Sequence, residues 1–284
     1  MHVNAKVRKK ISKGLTYTFL ILFGLLMIYP IVWMFFSTFK TNEEIYGSLK
    51  LLPSQFSLDS YIKGWKGAGR ISYTQFFLNT FKLVIPVVLL TVFSCSLVAY
   101  GFARFRFPLR KPLFMLLIST LMLPNAVIII PRYTLFNSFQ WLNTYLPFYA
   151  PALFACYPFF IFMMIQFFRG LPKELDESGY MDGCSTFQVF IKILMPLMKP
   201  ALFSAGLFQF LWTWNDFYNS LIFINSVDKY PISLALRMSL DLESSVAWSN
   251  VLAMALISVT PLIILFFSAQ KYFVEGIATT GIKG

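Results

Sequence analysis

The sequence predicts an all-α integral membrane protein with six transmembrane helices. Its 284 residues are 57% hydrophobic and 19% aromatic, and only 13% are charged. Soluble domains are usually about 45 to 50% apolar and about 25% charged, so this chain has too little polar surface to cover a soluble globule. The apolar excess is therefore predicted to face lipid.

Six stretches of the chain are long and apolar enough to cross a bilayer, which takes roughly 20 residues per helix. They lie at about residues 15–36, 76–102, 113–130, 146–168, 201–224 and 251–269. Pro86, Pro124 and Pro151, inside or beside these stretches, predict kinked helices. We expect residues 1–284 to form one membrane domain.

The basic residues predict the direction of the chain in the membrane. The formal net charge is +12, and basic clusters precede the first span and separate spans two and three at residues 104–111. Because positive charge favours the cytoplasmic side, both termini and residues 169–200 are predicted to be cytoplasmic. Residues 40–75, 131–145 and 225–250 then lie outside. Basic residues set between apolar runs also argue against a nucleic-acid partner.

Residues able to support catalysis or bind a metal are scarce. His2 is the single histidine, and Cys95, Cys156 and Cys184 show no CxxC spacing. Enzymes usually require convergent carboxylates, histidines or metal ligands. The sequence therefore predicts no catalytic residue, no metal site and no enzymatic activity.

The most informative segment is the predicted cytoplasmic loop between spans four and five, at about residues 171–196. Acidic residues occupy the first turn of a short helix, and Gly183 can end that helix with a positive φ. Ser185 and Gln188 form a capping-box pattern that starts a second helix. The residues alone fit either an amphipathic connector or a docking element.

The spacing within this loop resembles the EAA loop of ABC importer permeases. Gly183 lies six residues after Glu177 of the Glu177-Ser-Gly sequence, and Ile193-Leu-Met-Pro196 follows. The resemblance implies that the first short helix docks in a cleft of an ATPase subunit through Glu177, Ser178, Gly179, Met181, Asp182 and Gly183. Ser178 and Gly179 depart from the usual alanines, and Gly179 is expected to loosen the helix by roughly 0.5 to 1 kcal/mol relative to alanine.

Further partners follow from the same resemblance. The chain contains no G-x-x-x-x-G-K-[ST] phosphate-binding loop, so it is predicted to bind no cofactor itself. ATP and Mg²⁺ would bind two separate ATPase subunits. A second homologous permease subunit, in a heterodimer, and an external sugar-binding protein complete the expected importer, placed in a bacterial cell membrane.

Other stretches resemble the carbohydrate-uptake branch of these permeases, which includes the second membrane subunit of maltose transporters. They are Thr38-Phe-Lys-Thr-Asn-Glu-Glu-Ile, Asn79-Thr, Pro131-Arg-Tyr-Thr-Leu, Leu142-Asn-Thr, Trp214-Asn-Asp-Phe and the tail from Gln270 to Gly284. The resemblance implies import of a sugar, with an oligosaccharide expected, and a tail that reaches the ATPase pair.

Span five carries polar residues at helical spacing. Gln209, Thr213, Asp216 and Ser220 recur at i, i+4, i+7 and i+11, which predicts one polar helix face. Gln209, Trp212, Thr213, Asn215 and Asp216 are candidates for a substrate pathway, since small polar ligands require a few placed polar groups and aromatic walls. Hydrogen bonds to neighbouring helices are an equally good interpretation.

Two further alternatives remain open at the level of sequence. The outside segment 41–75, with Trp65 and Arg70, is either a docking surface for the binding protein or a solvated loop. The whole chain is either an importer permease or an ion-driven secondary transporter of a small polar solute. The second class usually needs paired acids within the membrane, whereas Asp216 is the one acid found near a membrane interior.

Overall fold

The fold is given by a computed structural model. It describes the backbone of residues 5–67, 71–241 and 247–280, and the side chains of residues 12–67, 71–240 and 247–269. The regular structure in these ranges is helical, which confirms the predicted all-α class. The α-helices are α1 (Ala5–Ser37), α2 (Asn42–Gly47), α3 (Asp59–Trp65), α4 (Tyr73–Arg104), α5 (Arg110–Thr120), α6 (Asn125–Ser138), α7 (Leu146–Leu153), α8 (Pro158–Gly170), α9 (Glu174–Met181), α10 (Thr186–Gln188), α11 (Met195–Leu197), α12 (Lys199–Trp214), α13 (Tyr218–Phe223), α14 (Ile232–Asp241) and α15 (Trp248–Thr280), with a π-helix at Val189–Leu194 and a 3-10 helix at Val227–Lys229.

Several of these helices are long and apolar enough to cross a membrane. Four candidates in the described part of the chain are Ser12–Ser37, Tyr73–Arg104, Leu146–Gly170 and Trp248–Ala269. Two bent helix pairs raise the number to six if each pair counts as one span. The structure thus supports a protein with four to six spans, and the count of six stays a prediction.

Three predicted spans are not single straight helices, and the one predicted at 146–168 consists of α7 and α8. The stretch predicted at 113–130 consists of α5 and α6, which meet at 104°. Pro124 causes the break: it lies in an extended conformation ahead of α6 and, like any proline, cannot donate a backbone hydrogen bond. The stretch predicted at 201–224 ends its first helix at Trp214 and begins a second at Tyr218.

Asp216 contributes to the break between α12 and α13. Its Oδ1 accepts a hydrogen bond of 3.1 Å from the backbone N–H of Asn219, as a capping carboxylate does at the start of a new helix. Gln209 and Thr213 lie in α12, whereas Asp216 lies between the helices. The predicted continuous polar face from Gln209 to Ser220 is therefore wrong beyond Thr213.

The chain forms two compact units. The first comprises residues 1–70 and 238–259 and includes α1 to α3. Within it, the Thr41 hydroxyl caps α2 by accepting from Glu44 N–H, and Asn42 Oδ1 accepts from Trp248 N–H at 3.0 Å. The 18-residue apolar window of α1 has no buried residue. This is the pattern expected of a helix that faces lipid or another chain.

The second unit, residues 71–237 and 260–284, is built around α4. This helix packs against α7, α8 and α12, and its buried side chains join a core of large apolar residues such as Phe160, Met164 and Phe190. Among the side chains that hold the unit together, Asn79 of α4 donates to Asp228 O at 2.7 Å and to Tyr230 O at 3.1 Å.

Asn143 is a second asparagine that holds the segment around residues 225–232. Asn143 Oδ1 accepts from the backbone N–H groups of Asn225 and Ser226, and its Nδ2 donates to Ser226 Oγ. Thr80 Oγ1 accepts from Ile232 N–H at 2.8 Å. Residues 225–232 are thus fixed by side chains from the Asn79-Thr and Leu142-Asn-Thr motifs.

Candidate functional site

A cavity of about 910 Å³ lies in the second unit where three interrupted helices meet. Its lining residues come from within 117–132, 148–161 and 209–219. These segments contain the breaks between α5 and α6, between α7 and α8, and between α12 and α13. A membrane tolerates non-helical backbone only where it is buried in protein or lines a polar cavity. The three breaks therefore mark this cavity as the candidate path for a polar solute.

The break between α7 and α8 also carries local backbone strain. Ala155, which lines the cavity, has a φ of 54°. A residue with a Cβ usually avoids this left-handed region, and holding it there costs on the order of 1 to 3 kcal/mol. Such conformations cluster at functional sites, so the strain agrees with the assignment of this cavity.

Aromatic side chains form part of the cavity wall. Tyr157, Phe159 and Trp212 all line it, and the rings of Phe159 and Trp212 lie 5.1 Å apart between centroids. Trp212 is 49% exposed although it is a large apolar residue. Flat aromatic walls with a few polar groups are typical of sites that bind small polar ligands.

Two polar residues that line the cavity have a side-chain oxygen without a hydrogen-bond donor among the described residues. Gln209 is 2% exposed, and its Nε2 donates to Thr213 Oγ1 at 2.9 Å. Within the described part of the chain, Gln209 Oε1 and Asn219 Oδ1 have no hydrogen-bond partner. A buried acceptor without a donor costs about 1 to 3 kcal/mol. Both residues belong to the cavity lining.

The structure brings four of the five predicted pathway residues together. Gln209, Trp212, Thr213 and Asp216 line the cavity. Asn215 is not part of the lining; its Nδ2 donates to Leu211 O at 2.8 Å at the end of α12.

Sequence reasoning missed Arg132, Tyr157 and Asn219, which also line the cavity. One signal was available: Arg132 is a charged residue directly after an apolar stretch, and such residues mark functional sites in membranes.

The loop between α8 and α12 has the helix–turn–helix shape predicted for it. Helix α9 ends at Met181, and Gly183 follows with a φ of 79°. Ser185 Oγ then accepts from Gln188 N–H while Gln188 Oε1 accepts from Ser185 N–H, so the predicted capping box is present. The chain continues through the π-helix to α11, and the two stretches on either side of Met198 meet at 79°.

Five of the six predicted docking residues lie on the exposed face of this loop: Glu177, Ser178, Met181, Asp182 and Gly183. Met181 is 88% exposed, which is unusual for a large apolar side chain in the absence of a partner. Gly179 differs because it is buried. A Cβ at Gly179 would lie 2.6 Å from Ile193 Cδ1 and 2.9 Å from Val189 Cγ2. The glycine thus permits close packing of α9 on the π-helix, a role that helix propensity alone did not predict.

Gly179→Ala is expected to destabilise the protein despite the better helix propensity of alanine. Overpacking costs about 1 to 3 kcal/mol, against a gain of about 0.5 to 1 kcal/mol from propensity. Val189 is buried and branched at Cβ, so it cannot turn away freely. Thermal unfolding of the purified transporter measures the effect. Gly206→Ala is the matched control, since its Cβ would meet Val88 and Val92 at 3.6 to 3.7 Å. Equal melting temperatures for Gly179→Ala and wild type would contradict this packing argument.

An ion pair joins the end of α4 to α9. Arg104 Nε lies 3.0 Å from Asp176 Oδ2, and the two side chains are 7% and 10% exposed. The contact lacks hydrogen-bond alignment, so it acts by charge attraction. Arg104 Nη2 also donates to Leu171 O at 3.1 Å and to Pro172 O at 3.3 Å. Burial raises the pKa of Asp176, and the Arg104 charge opposes that rise. Arg104 therefore ties the loop to the central helix of the second unit.

Interrupted apolar helices, a cavity between them and an exposed helical loop are features of membrane transport components. The chain belongs to the family described as binding-protein-dependent transport system inner membrane component, whose model matches residues 95–279.

Two relatives and one solved structure support this assignment. The chain is 32% identical to the probable ABC transporter permease protein YurM of Bacillus subtilis (strain 168), over 100% of this chain and 94% of the relative. It is 31% identical to the arabinooligosaccharides transport system permease protein AraQ of Halalkalibacterium halodurans, over 90% and 91%. Its fold resembles, with a TM-score of 0.83 at 21% identity, a chain of a bacterial ABC transporter involved in the import of the acidic polysaccharide alginate, covering 96% and 99% of the two chains.

These findings confirm the resemblance to sugar permeases of ABC importers, which are transport components of the membrane. One part of the resemblance is not described by the structure: in the tail from Gln270 to Gly284, the side chains lie outside the described residues, and so does the backbone after Thr280.

Proposed function

We propose that this chain carries an oligosaccharide through the cavity, as one of two permease subunits of an importer driven by ATP hydrolysis on separate subunits. The observation that carries the proposal is the cavity itself, which is lined by aromatic side chains and by Gln209. Its volume of about 910 Å³ falls in the range of roughly 300 to 1,000 Å³ that is usual for small-ligand sites. The relative AraQ, named for arabinooligosaccharides, supports an oligosaccharide as the cargo.

The exposed face of α9 supports coupling to ATPase subunits. Glu177, Met181 and Asp182 present charge and apolar surface on a short helix that Arg104 holds in place. ATP and Mg²⁺ bind two partner ATPase subunits in this proposal, because the chain contains no phosphate-binding loop. This subunit transmits movement and performs no chemistry itself.

The basic clusters set the orientation in the proposal. They place both termini and the α9 loop in the cytoplasm, with the chain in the inner or plasma membrane. A second homologous permease subunit completes the path. The sugar-binding protein docks on the opposite side, where Trp65 is 38% exposed. Arg70, also predicted for that surface, lies outside the described residues.

The test is sugar-stimulated ATPase activity of the reconstituted complex, with its binding protein and a panel of sugars. Glu177→Lys is expected to lower the stimulated rate at least about tenfold, since reversing a charge on a docking face costs about 1.4 kcal/mol or more. Glu174→Lys makes the same charge change on the same exposed helix outside the predicted docking set and serves as the control.

Two outcomes would contradict the proposal. One is equal loss in both variants, which would place docking elsewhere. The other is uptake driven by an ion gradient without any co-purified ATPase, which would make the chain a secondary transporter.

A further inference from the structure

Arg132 is the positive charge of the cavity. It lies in α6, lines the cavity and is partly buried. Its guanidinium carbon lies 5.7 Å from the ring centroid of Phe136 and 5.6 Å from that of Phe223. Cation–π contacts of this kind hold a guanidinium in place without using up its N–H donors, which lie in its own plane.

The N–H donors of Arg132 have no protein acceptor in residues 12–67, 71–240 and 247–269. No carboxylate there lies within 4.0 Å of the guanidinium, and no hydrogen bond to it is formed. Arg104 provides the contrast in the same unit, since it contacts a carboxylate and two backbone carbonyls. A partly buried charge within a membrane protein is costly unless it is paired, so Arg132 is set up to bind an acceptor that is not part of the described chain.

Asp216, the negative charge of the cavity, already has its donors. Asn219 donates to it from the backbone N–H at 3.1 Å and from Nδ2 at 3.0 and 2.8 Å. The Asp216 carboxylate therefore has hydrogen-bond donors within the protein, whereas the N–H groups of Arg132, whose charge also acts on Asp216, have no acceptor at hydrogen-bond distance among the described residues. This asymmetry favours a ligand that carries a negative group at the Arg132 end and hydroxyl groups at the Asp216 end.

We propose that the cavity takes a carboxylated saccharide, one that contains a uronic acid, and that Arg132 binds its carboxylate. The inference rests on the proposed function and names the substrate class of the same site. The planar guanidinium matches a carboxylate through two parallel hydrogen bonds, a geometry that a single hydroxyl does not offer. Gln209 and Asn219 supply further polar groups to the lining of the same cavity. Arg132 is thus a specificity-determining residue.

Cys156 makes the proposal testable in the intact transporter. It lines the cavity and is exposed, whereas Cys95 is buried and Cys184 lies in the α9 loop. In the full complex carrying Cys184→Ser, but without binding protein, alkylation of Cys156 by a maleimide reports access to the cavity. A Cys156→Ser variant gives the background. Digalacturonate and neutral digalactose are the matched probes, because they differ at C6 as carboxylate against CH₂OH.

The expected result is protection of Cys156 by digalacturonate at a concentration at least about tenfold lower than by digalactose, as for a charge-assisted pair. Arg132→Gln should abolish this difference, so that both sugars protect Cys156 at similar concentrations, and the melting temperature of the purified complex shows that the variant is folded. Arg132→Lys should keep part of the difference between the two sugars, since lysine retains the positive charge but lacks the planar guanidinium that forms two parallel hydrogen bonds.

Each contrary outcome has a distinct meaning. Equal protection by both sugars, or an equal loss with both in Arg132→Gln, overturns the carboxylate proposal and leaves sugar transport standing. Stronger protection by galactose 6-phosphate than by galacturonate also overturns it, in favour of a phosphorylated sugar. Failure of every sugar to protect Cys156 overturns both the inference and the cavity as the transport path.

Discussion

Replacing Gly183 by proline is expected to abolish ATP-coupled sugar uptake. Gly183 has a φ of 79° and its N–H donates to Tyr180 O at 3.0 Å. Proline fixes φ near −65° and has no N–H, so it can satisfy neither requirement. A penalty of about 3 kcal/mol or more corresponds to a loss of roughly 100-fold in the population of the correctly folded loop. Uptake of labelled sugar and stimulated ATPase activity in proteoliposomes measure the effect.

Two variants separate this effect from a general loss of folding. Gly183→Ala keeps the N–H and meets only the left-handed backbone penalty of about 1 kcal/mol, so it should retain a measurable fraction of activity. Gly170→Ala, at the end of α8, places its Cβ where no atom lies within 4 Å and should behave as wild type. Full coupled uptake by Gly183→Pro would show that the turn between α9 and α10 has no part in coupling.

The second large effect is expected from Arg104→Met, which leaves the Asp176 carboxylate buried without its cation. Removing one partner of a buried ion pair costs about 3 to 5 kcal/mol. Asp176→Asn should cost less, because Arg104 keeps its hydrogen bonds to Leu171 O and Pro172 O. The melting temperature of the purified complex measures the loss of stability in each variant. The double change Arg104→Met with Asp176→Leu should recover part of the loss, since an apolar pair often replaces a buried ion pair at little cost.

The pH dependence gives a further check on this ion pair. Burial raises the pKa of Asp176, so its contribution to stability is present at low pH and is lost as the pH rises through the raised pKa. Without Arg104 the pKa rises further. Arg104→Met should therefore regain stability as the pH falls from neutral, whereas Asp176→Asn, which has no titrating carboxyl group, should not. A double variant of Arg104→Met with Asp176→Leu that is no more stable than Arg104→Met alone would contradict the pairing.

The fold class and much of the local structure could be predicted from the sequence. Hydropathy predicted the apolar helices because a helix that crosses the lipid needs a long uninterrupted run of apolar residues. Ser185 and Gln188 predicted the restart of a helix because a capping box uses only neighbours in the chain. Gly183 predicted the turn for the same reason: its positive φ is a local requirement.

The cavity could not be predicted in full because it depends on contacts between distant segments. An average of hydropathy over a window does not register a break of three or four residues, so the two helices on either side of Asp216 were expected to be one. Arg132 was assigned to an outside segment, since it follows the apolar run directly. The close packing of Gly179 on Val189 and Ile193 likewise arises only once α9 folds back on the π-helix.

Asn79 and Asn143 show that a resemblance between permeases can rest on residues that hold the fold. Both belong to stretches that gave the resemblance to carbohydrate permeases, and both use their amides to hold backbone of residues 225–232. Neither lines the cavity. These two residues therefore hold the architecture, whereas in the proposal above selection of the cargo belongs to Arg132, which does line the cavity.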